Sequence, residues 1–225
     1  MATLSTIREN LHQVREKIEA AARRASRQPD EIQLIGVSKT QPAEAIREAY
    51  EAGLRSFGEN RVQEWEGKLG GLGDLKANWH LIGHLQSNKA ARAAKAFHSV
   101  DSVDDWSLAQ RLDRAQAEKG TGQKLRVLLE VHMGGEETKS GASEADLPEL
   151  AERVQALAHL EFAGLMCIPP FHENPEDARP FFEALRKFKE QLESRLGRIL
   201  PTLSMGMSHD FEAAIREGST EVRIG

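Results

Sequence analysis

Ile32-Gln33-Leu34-Ile35-Gly36-Val37-Ser38 is a short apolar run, and after a helical pattern near 42–52 a second run follows, Arg55-Ser56-Phe57-Gly58. Runs of this length suit strands, while the stretch between them has helix punctuation. Pro42 suits a first helical turn, and Gly53 stands where a helix C-cap is wanted. This strand–helix–strand unit then repeats to the end of the chain. Further strands are expected at Trp79–Leu85, Phe97–Val100, Arg126–Val131, Glu161–Ile168, Thr202–Met207 and Glu221–Ile224. Helices are expected near 60–69, 87–96, 104–119, 144–158, 175–196 and 209–217. Ser102-Val103-Asp104-Asp105 resembles a capping box, and Gly120, Gly197 and Gly218 are further C-cap candidates. Ahead of the first strand, Leu4, Ile7, Leu11, Val14, Ile18 and Ala22 recur at helical steps, so residues 3–28 read as one amphipathic helix packed against the rest of the chain.

Alternating strands and helices imply parallel pairing with right-handed crossovers. Eight strands of this kind can close on themselves and leave no exposed edge. The fold class is therefore α/β, a single (β/α)8 TIM-type barrel with an extra N-terminal helix. A doubly wound open sheet is the alternative. The 225 residues match the size of one such barrel, roughly 200 to 250, and no Pro/Ser-rich linker divides them.

Composition narrows the function classes. Hydrophobic residues at 40% and charged residues at 29% are ordinary for a globular protein in water. A formal net charge of −5 leaves no basic footprint for nucleic acid. No apolar run approaches the roughly 20 residues that cross a bilayer, and the N-terminus lacks a signal-peptide pattern. With a single cysteine, Cys167, no intrachain disulfide forms, and a reducing, cytoplasmic setting is expected. Cys167 lies in an apolar run and reads as a buried, inert thiol.

In such a barrel the chemistry gathers where strands end, and phosphate often binds after strands seven and eight. Lys39 ends the first strand, Asn60 follows the second, Ser208 ends the seventh, and Arg223 and Gly225 end the eighth. Closure sets the last strand beside the first, so Lys39 and Arg223 become neighbours at one mouth. A lysine beside another cation and partly desolvated favours its neutral amine, the form that attacks an aldehyde. Ser208 and the amides opening the 209–217 helix offer donors to a phosphate, and Gly225 permits a close backbone approach. Each feature alone has a duller reading. A lysine after a strand is more often a solvated charge than a nucleophile, and Arg223 alone more often makes a structural ion pair.

The wording of the sequence goes further. Gly36-Val37-Ser38-Lys39-Thr40-Gln41-Pro42, Phe57-Gly58-Glu59-Asn60-Arg61-Val62-Gln63-Glu64 and residues 79–89, from Trp79-His80-Leu81 to Ser87-Asn88-Lys89, resemble the pyridoxal phosphate homeostasis proteins, the YggS/PROSC-like family. Residues 98–102, 136–141, 164–169, 203–208 and 218–225 match that family in order. The resemblance implies pyridoxal 5′-phosphate held as a Schiff base on Lys39, with Arg223 facing the pyridine nitrogen. It places Ser208 and Gly225 on the phosphate, Asn60 near the ring, and Ser204, Met205, Gly206 and Met207 along the pocket. It also implies a barrel similar to the N-terminal domain of bacterial alanine racemases and of eukaryotic ornithine decarboxylases, that is, PLP fold type III.

Arg223 only donates hydrogen bonds, so it favours an unprotonated ring nitrogen and a poorer electron sink. Racemases add a tyrosine base from another domain. Here the sole tyrosine, Tyr50, lies in a helix expected to face away from the mouth. A non-catalytic carrier or buffer, a cytoplasmic monomer serving PLP-dependent apoenzymes, therefore fits better than an enzyme. A fold type III enzyme acting on amino acids, or a cofactor-free lysine aldolase, are the competing readings. The family pattern continues past the last Gly with a Thr and a short apolar-glycine stretch, whereas this sequence ends at Gly225. His132 replaces a common Asn, and His84 occupies a variable slot.

His80 and His84 share strand parity, but with no Cys or carboxylate at metal-ligand spacing no metal site is expected, and a hydrogen-bonded barrel histidine is the better reading. His98, His159, His172 and His209 form no pattern, and His209 reads as solvated at a helix start. Leu69-Gly70-Gly71-Leu72-Gly73-Asp74 lacks the Lys-Ser/Thr of a P-loop and reads as a loop closing a helix. Lys89 and Lys139 read as surface lysines.

Overall fold

The structure is a computed structural model that describes residues 6–134 and 140–225. Eight parallel strands close into a barrel in sequence order. They are β1 Gln33–Val37, β2 Ser56–Glu59, β3 Asn78–Leu81, β4 Ser99–Val103, β5 Leu125–Glu130, β6 Leu160–Met166, β7 Thr202–Met207 and β8 Glu221–Ile224. Around them stand α1 Ile7–Arg24, α2 Ala43–Glu51, α3 Val62–Leu72, α4 Ala90–Ala96, α5 Trp106–Lys119, α6 Leu147–Gln155, α7 Arg179–Leu196 and α8 Phe211–Arg216. The closed sheet excludes the open-sheet alternative. Among the described residues no helix is long and apolar enough to cross a membrane.

α1 starts at a capping box made by Thr6 and Glu9; Leu4, expected in its first turn, lies outside the described residues. Its apolar stripe packs Ile18, Ala21 and Ala22 against Ile32, Phe211, Ile215 and Val222. It thereby covers the seam where β8 meets β1, next to α8 and α2. Arg27, just past its end, ties it down by donating to the carbonyls of Ile215 and Ser219.

Strand alternation divides the side chains into two cores. Outward residues such as Phe57, Trp79, Leu81 and Leu203 pack under the helices. The indole rings of Trp65 and Trp79 stack there with centroids 3.8 Å apart. α7 packs Phe182, Leu185 and Leu192 fully and Phe181 and Phe188 partly into the same core.

Several boundaries differ from expectation for local reasons. β3 ends at Leu81, and Gly83 then passes so close to the chain just after β2 that a Cβ there would lie 2.5 Å from the Asn60 carbonyl oxygen. Ser102 is no cap: its hydroxyl donates to the Gly83 carbonyl from within β4, and Asp105 alone caps α5 by accepting from Leu108 N–H at 2.8 Å. Pro42 is the N-cap of α2 rather than part of its first turn. The 69–74 glycines are not a loop, since α3 runs to Leu72 and Gly71 lets it pass close to Ala43 of α2.

Candidate functional site

The β1–β8 pairing is parallel, with Ile35 opposite Arg223 and Gly36 opposite Ile224. Gly225 therefore lies beside Val37, where a Cβ would fall 3.0 Å from the valine's own. Lys39, two residues beyond Val37, stands exposed at the same end. The register thus sets the end of β1, which Lys39 follows, beside the end of β8, which Gly225 follows, while Arg223 itself pairs with Ile35 lower in the barrel.

The inward residues form layers. At the bottom, Arg126 donates to Ser99 Oγ at 3.0 Å, Thr202 Oγ1 at 2.7 Å and Glu221 Oε1 at 2.6 Å. His80 Nδ1 lies 3.0 Å from Asp101 Oδ2 in the same cluster. Burial opposes a charge on His80, but the Asp101 carboxylate beside it wins and raises its pKa. Thus the carboxylates missing from the local sequence around His80 arrive from β4 and β8. The expected hydrogen-bonded barrel histidine is what forms, and Arg126 adds a permanent positive charge to the layer. Above it lie Ile35, Leu128 and Met166.

Arg223 is nearly sealed in, at 3% exposure. Its guanidinium donates to Ser204 Oγ at 2.7 Å and to the Cys167 carbonyl at 2.8 Å. Ser204 is fully buried, and its role is to hold this arginine. Ser208 Oγ accepts the Gly225 N–H at 3.2 Å and lies 3.1 Å from the Gly225 carbonyl, so it fastens the chain end to β7. Asn60 stands half-buried after β2 and, with His84 and Lys89, lines a cleft of about 670 Å³.

Two expectations fail here. Met205 does not face the mouth. It belongs with Leu203, Ala213 and Ala214 to the core under the helices, because strand alternation turns it outward. The helix expected at 209–217 spans only Phe211–Arg216, and Asp210 ahead of it already accepts the Met207 N–H at 2.6 Å. The first turn of the helix therefore starts two residues later than expected, and Met207 is half-buried at the rim. His209 reaches instead to the Glu173 carbonyl and the Phe171 ring. Lys139 lies outside the described residues. Tyr50 lies against the outer core beneath the Arg55 guanidinium, away from the mouth. Cys167 is fully buried, and burial pushes its thiol up to about 12.

Sequence reading missed two groups. The first braces the Lys39 turn, where Thr40 adopts a positive φ of 63°. Lys68 of α3 donates to the Ser38 carbonyl at 2.8 Å, to Glu59 Oε1 at 2.9 Å and to Glu64 Oε1 at 2.9 Å. Ser38 Oγ donates to Glu59 Oε1 at 2.7 Å, and Thr40 N–H donates to Glu64. Burial works against a charge on Glu64, but the Lys68 ammonium and the Thr40 amide hold its carboxyl below the usual range. The second group is Glu130 and Asp104 at the upper rim. Glu130 shares parity with Arg126 and Leu128, a signal present in the sequence. Asp104 lies past a register shift in β4, which parity does not reveal.

Comparison with known proteins agrees with the barrel fold. The family described as alanine racemase, N-terminal domain, matches residues 4–225. The pyridoxal phosphate homeostasis protein of Pseudomonas aeruginosa is 49% identical over 99% of this chain and 94% of its own. That of Aquifex aeolicus is 46% identical over 96% and 94%. The structure of PipY from Synechococcus elongatus with PLP bound superposes with a TM-score of 0.82 at 41% identity, covering 93% of this chain and 97% of that one. Alanine racemase of Clostridium difficile, 16% identical, shares the fold at a TM-score of 0.72, with this chain covering 58% of it.

Proposed function

The chain belongs to the alanine racemase N-terminal domain family, among the pyridoxal phosphate homeostasis proteins, and from that premise we propose that it binds pyridoxal 5′-phosphate at the C-terminal mouth and serves as a carrier or buffer of the cofactor rather than as an enzyme. The β1–β8 register supports the reading, because it puts the strand that Lys39 follows beside the strand that carries Arg223 and ends next to Gly225.

The donor set fits the group. A guanidinium offers five N–H donors and no acceptor. Ser204 and the Cys167 carbonyl occupy part of Arg223, and a remaining N–H suits an unprotonated ring nitrogen. Lys39, exposed just past the end of β1, would supply the amine for covalent attachment. Ser208 Oγ and the Gly225 N–H, now bonded to each other, are the donors for phosphate. Asn60 would lie near the ring, Met207 would edge the opening, and Ser204 would act through Arg223.

When bound, the cofactor supplies an electron sink and is itself the cargo. Arg223 cannot protonate the ring nitrogen, which weakens that sink, and the chain's one tyrosine is on the outer face of the barrel. Both facts favour holding over turnover. In this reading the chain works as a single-domain monomer in the cytoplasm and hands its cargo to apoenzymes that require it.

Adding pyridoxal 5′-phosphate should colour the protein, and borohydride should then fix the label on Lys39. Lys39→Ala should lose both. A label mapped to another lysine, or none, overturns the assignment. Amino-acid racemisation or decarboxylation that disappears in Lys39→Ala would move the protein among the enzymes.

A further inference from the structure

Glu130 ends β5 inside the barrel, 5% exposed, with Oε1 accepting from Ser140 Oγ at 2.9 Å. Its other oxygen, Oε2, is buried and has no hydrogen-bond partner among the described residues. Asp104, at the end of β4 next to it, repeats the pattern. One of its oxygens lies 3.3 Å from His84 Nδ1, the Gly141 backbone N–H also favours its charge, and Oδ1 is buried with no hydrogen-bond partner among the described residues. Two vacant carboxylate acceptors on neighbouring strands, at the rim shared with Arg223, are costly unless something donates to them. Among the described residues Glu130 forms no salt bridge, and Arg223 and His84 act on it only through space.

We propose that Asp104 and Glu130, with His84 at their edge, form a subsite for the ammonium group of a small primary amine, an amino acid included, at the mouth that Lys39 shares. An ammonium carries three donors and no acceptor, which matches a pair of acceptor-only oxygens. A metal ion is the wrong occupant. Among the described residues, the ligand atoms that close to within 4.8 Å of one another are those of His80, Asp101 and Glu221 in the bottom layer, where Arg126 already sits. The upper trio is too open for coordination and suits a larger organic cation. Burial pushes both carboxyls above their ordinary range, and the Asp104 charge adds to this at Glu130. The positive charge and N–H donors of an arriving ammonium oppose both shifts. The subsite deepens the cofactor reading, on which it rests for what the amine meets there: the cargo's aldehyde reacts with amines, and this arrangement holds one beside it.

The test is a titration of the cofactor-free full chain with methylammonium, followed by carboxyl-¹³C NMR. The Glu130 and Asp104 resonances should shift saturably, the exposed Glu161 resonance should not, and tetramethylammonium, which has no N–H, should give no shift. Glu130→Gln, read at Asp104, and Asp104→Asn, read at Glu130, should each weaken binding about tenfold, as expected for losing a hydrogen bond to a charged group. Absence of a saturable shift in the wild type overturns the proposal, as does unchanged binding in both variants. The Lys39 label tests the cofactor reading separately. Saturable shifts without a label would keep the subsite and sink the cofactor site; a label without shifts would do the reverse.

Discussion

Replacing Lys68 by Met should destabilise the protein and loosen the turn that presents Lys39. Lys68 is 12% exposed and Glu59 is fully buried, so the substitution leaves a buried carboxylate facing an apolar side chain. Breaking a buried pair from one side costs about 3–5 kcal/mol. The remaining Ser38 hydroxyl bond to Glu59 and partial access at Lys68 place the expectation near the lower end, about 3 kcal/mol. With a urea slope of about 2–3 kcal/mol per molar, the unfolding midpoint should fall by about 1 M. The loss should also depend on pH. The folded-state pKa of Glu64 is depressed, so its contribution is full above the ordinary carboxylate value and disappears as pH falls through the folded value. Lys68 is the chief source of that depression, so the gap between wild type and Lys68→Met should narrow in acid. Adding Glu59→Gln should recover much of the loss, because the uncompensated charge is then gone. A single variant within about 0.5 kcal/mol of wild type, or a gap that widens on acidification, would refute the account of this brace.

Three further outcomes are expected of the same structure. Cys167, its thiol pushed up to about 12 by burial, should resist iodoacetamide at pH 8 in the folded protein and react fully once denaturant is added. Gly206 has a φ of 94°, and a Cβ there would lie 2.6 Å from that of Ala214. Gly206→Ala should therefore cost about 2 kcal/mol or more in thermal or urea unfolding, and a neutral result would contradict the packing of α8 on β7. His80 has a raised folded-state pKa from Asp101, so its contribution is full below the ordinary histidine value and lost as pH rises through the folded one. Its ring resonances should titrate above those of His98, whose pKa burial lowers, and His80→Asn should cost less stability at alkaline than at acid pH.

The fold was legible because each strand is short, apolar and followed by helix punctuation, so the order of elements and the closing pair β8–β1 could be read directly. Boundaries were less so. Ser102 and Asp105 look alike as caps, and what separates them is the Gly83 carbonyl, a partner that exists only once β3 and β4 are paired. The site divides the same way. Lys39 and Arg223 announce themselves at strand ends. Lys68 does not, since a lysine in mid-helix gains meaning from Glu59 and the Ser38 carbonyl across α3 and β1. Met205 was misplaced by treating residues 204–207 as one lining segment, although alternation sends Ser204 and Met205 to opposite faces. Asp104 was hidden by the extra residue in β4, which shifts every inward position after it.

The bottom layer of the barrel has a consequence for traffic. Arg126, His80, Asp101 and Glu221 cork the lower end with a hydrogen-bonded plug, as the filled interior of such barrels leads one to expect. A vessel corked below has one door, so whatever arrives at Lys39 must leave past the same rim. On the proposed carrier role, uptake and delivery exclude one another in time, and a recipient enzyme would approach the face that free cofactor also uses. Raising free cofactor should slow a handover by direct contact and leave a handover through solution unhindered.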